Sequence, residues 1–183
     1  FSDEVLKSAV DSNPSPPFQL SQPFLINGTA VDQDGNSFEY ITYDSIDWAV
    51  ENAQVVTYRD GTPIPQVSGQ EWKELTTGAW CYWNNDPSKG KLYNWYAVAG
   101  IHDDDPNTQS KEFAPEGWKV SSVIDLIDLR DYFIANGYNH DGTTTGNKIG
   151  KAIASPSGWV GTVTVGTVGN DQQSNNTSGF NLV

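Results

Sequence analysis

The sequence predicts an α+β fold of short antiparallel strands, one or two helices and long loops, on three observations. Its first half alternates short apolar runs with turn formers, a single amphipathic stretch follows at residues 123–136, and beyond Asp141 the composition shifts to Gly, Thr, Ser and Asn. The regular strand and helix alternation that builds a parallel sheet is absent.

Each element has a local reason. In residues 1–24, positions 1–10 can form a short helix, but Pro14, Pro16, Pro17 and Pro23 then remove backbone donors and favour extended chain, which reads as an interdomain lead-in before a domain at residues 25–183. Next come FLI and FEYITY, punctuated by Asn27-Gly28 and Asp34-Gly35-Asn36, and these are β-hairpin signals. Residues 55–58 followed by Asp60-Gly61-Thr62-Pro63 repeat the strand-then-turn pattern. The aromatic centre holds Trp72, Trp80, Tyr82, Trp83, Tyr93 and Trp95 around an Asn84-Asn85-Asp86-Pro87 turn, and rings so dense are expected mainly in the core. YNWYAV reads as a short helix, with Trp95 and the later Trp118 expected inside.

The amphipathic stretch puts Val123, Leu126, Ile127, Leu129, Phe133 and Ile134 on one broad face, with Asp125, Asp128 and Tyr132 opposite. Leu126 and Ile127 are therefore expected to be buried, and Asp125 and Asp128 to face water. Ser122 can cap this helix with Asp125 three residues on, and Gly137 can end it. WVGTVTVGTV, farther on, predicts short strands among loops.

Composition excludes several functions. Lys+Arg 10 against Asp+Glu 23 leaves a net charge of −13, which repels a phosphate backbone, so nucleic acid and anionic membrane surfaces are poor partners. The apolar runs fall far short of the roughly 20 residues that span a bilayer. A single cysteine, Cys81, excludes an internal disulfide and any cysteine-rich zinc site, and suits a small buried hydrophobe. The start FSDEV and the lack of Met suggest a processed or excised piece.

DQDGNSFEYITY, Trp48 with AVENAQ, YRDGTPIPQV, EWKELTTGAWCYWNND, KLYNWYAVAGI, APEGWKV, GNKIGKAIA and NNTSGF occur in an order that resembles the Fibrobacter succinogenes major paralogous domain, or FISUMP, over about residues 32–183. The resemblance implies a C-type-lectin-like fold, similar in architecture to the formylglycine-generating group. It also implies a module of secreted or surface proteins of Bacteroidota-type bacteria. Where the family has GWHVP, this chain has Gly117-Trp118-Lys119-Val120-Ser121, so any role of that His does not transfer. The family pattern continues past SGF, which implies a missing closing strand and leaves residues 38–43 expected without their partner.

Candidate chemistry is sparse. Asp32-Gln33-Asp34-Gly35-Asn36 fits a hairpin turn better than an EF-hand loop, whose first and last ligand positions would fall on Ala30 and Ile41. Asp103, Asp104 and Asp105, with Asn107, offer oxygen ligands for calcium if the backbone loops; a solvated loop is the plainer alternative. His140-Asp141-Gly142 reads as a turn. Glu71 and Glu74 lack an identifiable opposing carboxylate, no strained GxSxG elbow exists, and one cysteine cannot supply formylglycine-type chemistry, so no catalytic residue is assigned. Trp83 with Asn84 and Asn85, and Trp159 in SPSGWVG, are the candidate ligand contacts on loops.

The expectation is a non-enzymatic recognition or adhesion module of a larger secreted bacterial protein, extracellular or on the cell surface, binding a glycan or protein ligand and contacting other domains or a neighbouring chain. It needs no cofactor, although calcium is compatible. A structural spacer is the alternative; a glycan-acting enzyme has only the aromatic content in its favour.

Overall fold

The computed structural model describes residues 26–180; the expected lead-in helix and linker lie outside that range. Strands β1 (Ile26–Val31), β2 (Ser37–Tyr43) and β3 (Ile46–Ala49) form an antiparallel sheet in the order β1-β2-β3, with Gly28 opposite Tyr40 and Ile41 opposite Trp48. The predicted turn at Asp34-Gly35 joins β1 to β2, where Gly35 takes a φ of 85° that suits glycine. Asn27-Gly28, in contrast, lies inside β1. A Cβ on Gly28 would stand 2.4 Å from the Tyr40 ring, so the glycine serves close packing instead of a turn.

Pleating gives the sheet two faces. Ile41, Tyr43 and Trp48 point to one, where they bury with Leu129, Phe133, Tyr138, Ile149 and Ala152. These come from helix α2 (Val123–Ala135) and the turn after it, and from helix α3 (Gly150–Ile153) with Ile149 just ahead of it. The Tyr43 hydroxyl donates to the Ser178 carbonyl at 2.8 Å, and burial raises its pKa. β2, expected to lack a partner, is paired on both sides and is the central strand.

A second cluster gathers Val55, Tyr58, Ile64, Trp80 and Ala97. Here β4 (Trp80–Tyr82) pairs antiparallel with β5 (Lys91–Tyr93), and the short helix α1 (Trp95–Val98) follows. Asn94 caps α1 by accepting the Ala97 N–H, while its amide donates to the Thr77 carbonyl. Thr57 bridges Pro63 around the predicted Asp60-Gly61 turn. Asn84 and Asn85 make the predicted turn with φ of 50° and 58°.

Three further expectations need correction. The buried stripe of α2 is shorter than its periodicity predicts: Leu129 and Phe133 are buried, but Leu126 is 51% exposed and Val123 and Ile124 are exposed, because only the C-terminal half of the helix packs on the sheet. Ile127 is half-buried, Asp128 faces water, and Tyr132, placed opposite, packs against the core. The capping box of Ser122 and Asp125 is present, with Gly137 just past the C-cap Asn136. Trp95 is 68% exposed, because only Ala97 of four-residue α1 is fully buried. WVGTVTVGTV forms no strand: Val160, Val163 and Val165 are exposed, and local turns such as Thr167 N–H to the Thr164 carbonyl take the place of a ladder.

Loops after α3 are held from within. The buried Lys151 ammonium donates to the carbonyls of Asn170 and Asp171 and to Asn175 Oδ1, and the Asn175 amide donates on to Ser155 and Val168. A lysine ringed by neutral oxygens here anchors residues 168–175 to α3.

Candidate functional site

On the face of the sheet opposite the first core, Trp118 packs edge-on against Phe38 and Tyr40, with ring centroids 5.0 and 5.6 Å away. Its segment, residues 117–121, crosses that face as a strap. Arg59 holds the strap: Nε donates to the Ala114 carbonyl at 2.9 Å, and one terminal nitrogen donates to Pro115 and Trp118 at 3.0 and 3.2 Å. The planar guanidinium suits three converging carbonyls where a lysine point charge would not. At the far end Lys119 pairs with Asp125 at 2.7 Å. That ammonium, with the hydroxyl and N–H of Ser122, lowers the Asp125 pKa to about 2.

Two clefts flank the strap. The smaller, about 600 Å³, lies among Thr29, Tyr40, Asp47, Trp48 and Trp118. The larger, about 870 Å³, runs between Phe38, Asn52, Phe113 and Trp118, and Trp118, Lys119 and Ser121 border both. These volumes are those of small-ligand sites. The β1–β2 turn builds one wall of the larger cleft. Its Asp34 carboxylate accepts the N–H groups of Val56 and Thr57 at 2.6 and 3.1 Å and the Thr57 hydroxyl at 2.7 Å. Gln33 donates to the carbonyls of Thr57 and Phe113. The Asp-Gly motif is thus a hairpin, as read from sequence, and also the clamp between the two cores.

The residues singled out from sequence do not converge. Trp83 is 61% exposed beside Asn84 and Asn85. Trp159 is half-buried, and its indole N–H donates to Ser155 while Gln172 bonds its backbone on both sides, so this ring is tied down instead of displayed. Asp103, Asp104 and Asp105 point to different partners: Asp103 accepts the Asp105 N–H, Asp104 the Thr76 hydroxyl, and Asp105 the Asn107 N–H and amide. Among the described residues no three His, Cys, Asp or Glu side chains gather as a metal's ligands would. Glu71 and Glu74 sit exposed on one short helical turn, with Gln70 donating to Glu74. Cys81 is half-buried, which raises its thiol pKa. His140-Asp141-Gly142 is the expected turn, closed by the Gly142 N–H to the Asn139 carbonyl.

The sequence reading places Trp118 in the core, whereas the ring is half-buried on Phe38 and Tyr40, and it gives Arg59 no role. The available signal was Pro115-Glu116-Gly117 ahead of Trp118, which places the ring on a loop and not within a strand. No helix among the described residues is long and apolar enough to cross a membrane. No curated protein and no solved structure matches the chain. Residues 41–183, which begin inside β2 and include the Arg59 and Trp118 strap, match the Fibrobacter succinogenes major domain (Fib_succ_major). The chain therefore belongs to the Fibrobacter succinogenes major domain family.

Proposed function

We infer that this domain is an extracellular or cell-surface recognition module of a larger protein, binding a glycan or peptide without turnover and having a C-type-lectin-like arrangement. The observation that carries the reading is the pair of clefts on the sheet, with a tryptophan on the strap between them and main-chain bonds from Arg59 fixing that strap. Aromatic rings on a rigid frame with polar groups nearby are the usual make-up of a recognition surface. The net charge of −13 supports an exposed, soluble surface and disfavours polyanionic partners.

A glycan and peptide array probed with the 183-residue chain tests this. Binding is expected, to be lost in Trp118→Ala and kept in Trp83→Ala. Loss in Trp83→Ala alone would move the site to the exposed Trp83, Asn84 and Asn85 turn, and no binding above background would end the recognition reading.

A further inference from the structure

We propose that the two clefts are subsites of one groove, and that its ligand is a neutral oligosaccharide lying across Trp118; this rests on the recognition reading above. Continuity is the first observation. Trp118, Lys119 and Ser121 border both spaces, so a chain long enough to leave one cleft enters the other past the indole.

Hydrogen-bonding capacity is the second. The side chains of Ser37 and Asn52 in the larger cleft, Thr29 in the smaller and Ser121 in both make no hydrogen bond to another described residue, and neither does the indole N–H of Trp118. Amides and hydroxyls both donate and accept, which is what the hydroxyls of a sugar ring need. Beside them Phe38, Tyr40 and Trp118 offer apolar ring surface against which the C–H face of a sugar can pack.

Charge is the third, and it argues against an anionic ligand. In the larger cleft Lys89 and Lys119 stand with Asp32 and Glu51, and Lys119 is already paired with Asp125. Little positive charge is left for a uronate or sulfate, and the net −13 repels any polyanion. The carboxylates of the groove each hold a neutral donor of the protein itself, which keeps their charge and fixes their position. Asp32 accepts the N–H groups of Asp34 and Asn36, Glu51 accepts the Glu39 N–H, and Asp47 in the smaller cleft accepts the Thr42 hydroxyl. An uncharged ligand with many hydroxyls fits the groups that remain.

The test is calorimetric titration of the chain with a ladder of neutral hexose oligomers, from monosaccharide to hexamer, beside uronate oligomers and basic peptides. Affinity is expected to rise with length and then level off. Asn52→Ala should weaken oligomers that occupy the larger cleft, Thr29→Val only the longer ones, and Trp118→Ala should cost about tenfold or more in Kd. Trp118→Phe keeps a ring on the sheet and serves if the alanine variant does not fold. A monosaccharide bound as tightly as the hexamer overturns the single groove. Binding of uronates or peptides alone, still sensitive to Trp118, overturns the neutral ligand and leaves the recognition reading standing, whereas no binding by any probe overturns both.

Discussion

Arg59 directs its donors at main-chain oxygens, and its two carboxylate neighbours are weak partners: Glu116 lies 3.6 Å away and Glu112 3.9 Å, both largely in water. Its role is therefore read from the carbonyls of Ala114, Pro115 and Trp118. Arg59→Met should cost roughly 1–3 kcal/mol by leaving these carbonyls without their donor, and should shift tryptophan emission as the strap loosens. Arg59→Lys should rescue little, because one ammonium cannot reproduce the fork. Denaturant melts with fluorescence detection check both. Asp125 supplies a pH signature. Its pKa is depressed from 3.8 to about 2, so its contribution is complete above 3.8 and is lost as pH falls toward 2. Acid titration of stability should show a drop in that window, which Asp125→Asn flattens.

At the scale of elements, helix α2 shows how a periodic pattern can identify a helix and still misplace its buried stripe. Leu129 and Phe133, one turn apart, meet Tyr43 and the rest of the first core, while the first turn of the helix is solvent-exposed apart from the folded-back Asp125. Leu129→Ala should cost about 2–5 kcal/mol and Leu126→Ala no more than about 0.5 kcal/mol, measured by chemical denaturation. Equal losses at the two positions would mean that the N-terminal half of α2 is also packed. The same separation of pattern from partner explains the valines at 160, 163 and 165: β-branched pairs predict short strands among loops, but no neighbouring strand among the described residues supplies the ladder.

For the whole molecule, the question is what joins two small cores. The β1–β2 turn does so through Asp34 and Gln33, and Arg59 does so again by tying the second core's edge to the strap over the sheet. Asp34→Ala removes a carboxylate that accepts three hydrogen bonds and should cost about 1.5–3 kcal/mol. Hydrogen exchange should quicken at Val56 and Thr57 and stay slow at Phe133 and Tyr138. Uniform acceleration in both cores would show that the clamp is not the joint between them.

Local chemistry was legible in the sequence. The Asp34-Gly35 hairpin, the asparagine turn at 84–85, the Ser122 and Asp125 capping box, the α1 helix and the family itself follow from residues adjacent in the chain, because caps, positive-φ turns and motifs act over a few positions. The candidate site was not legible. Trp118 reaches Phe38 and Tyr40 across about 80 positions, and Arg59 meets the strap across 55 to 59. Which tryptophan is displayed, which carboxylate is already satisfied and which end of α2 finds a partner depend on contacts between segments distant in sequence. Only the tertiary structure decided them, because burial and hydrogen-bond satisfaction are set by what packs alongside a residue and not by the residues that flank it.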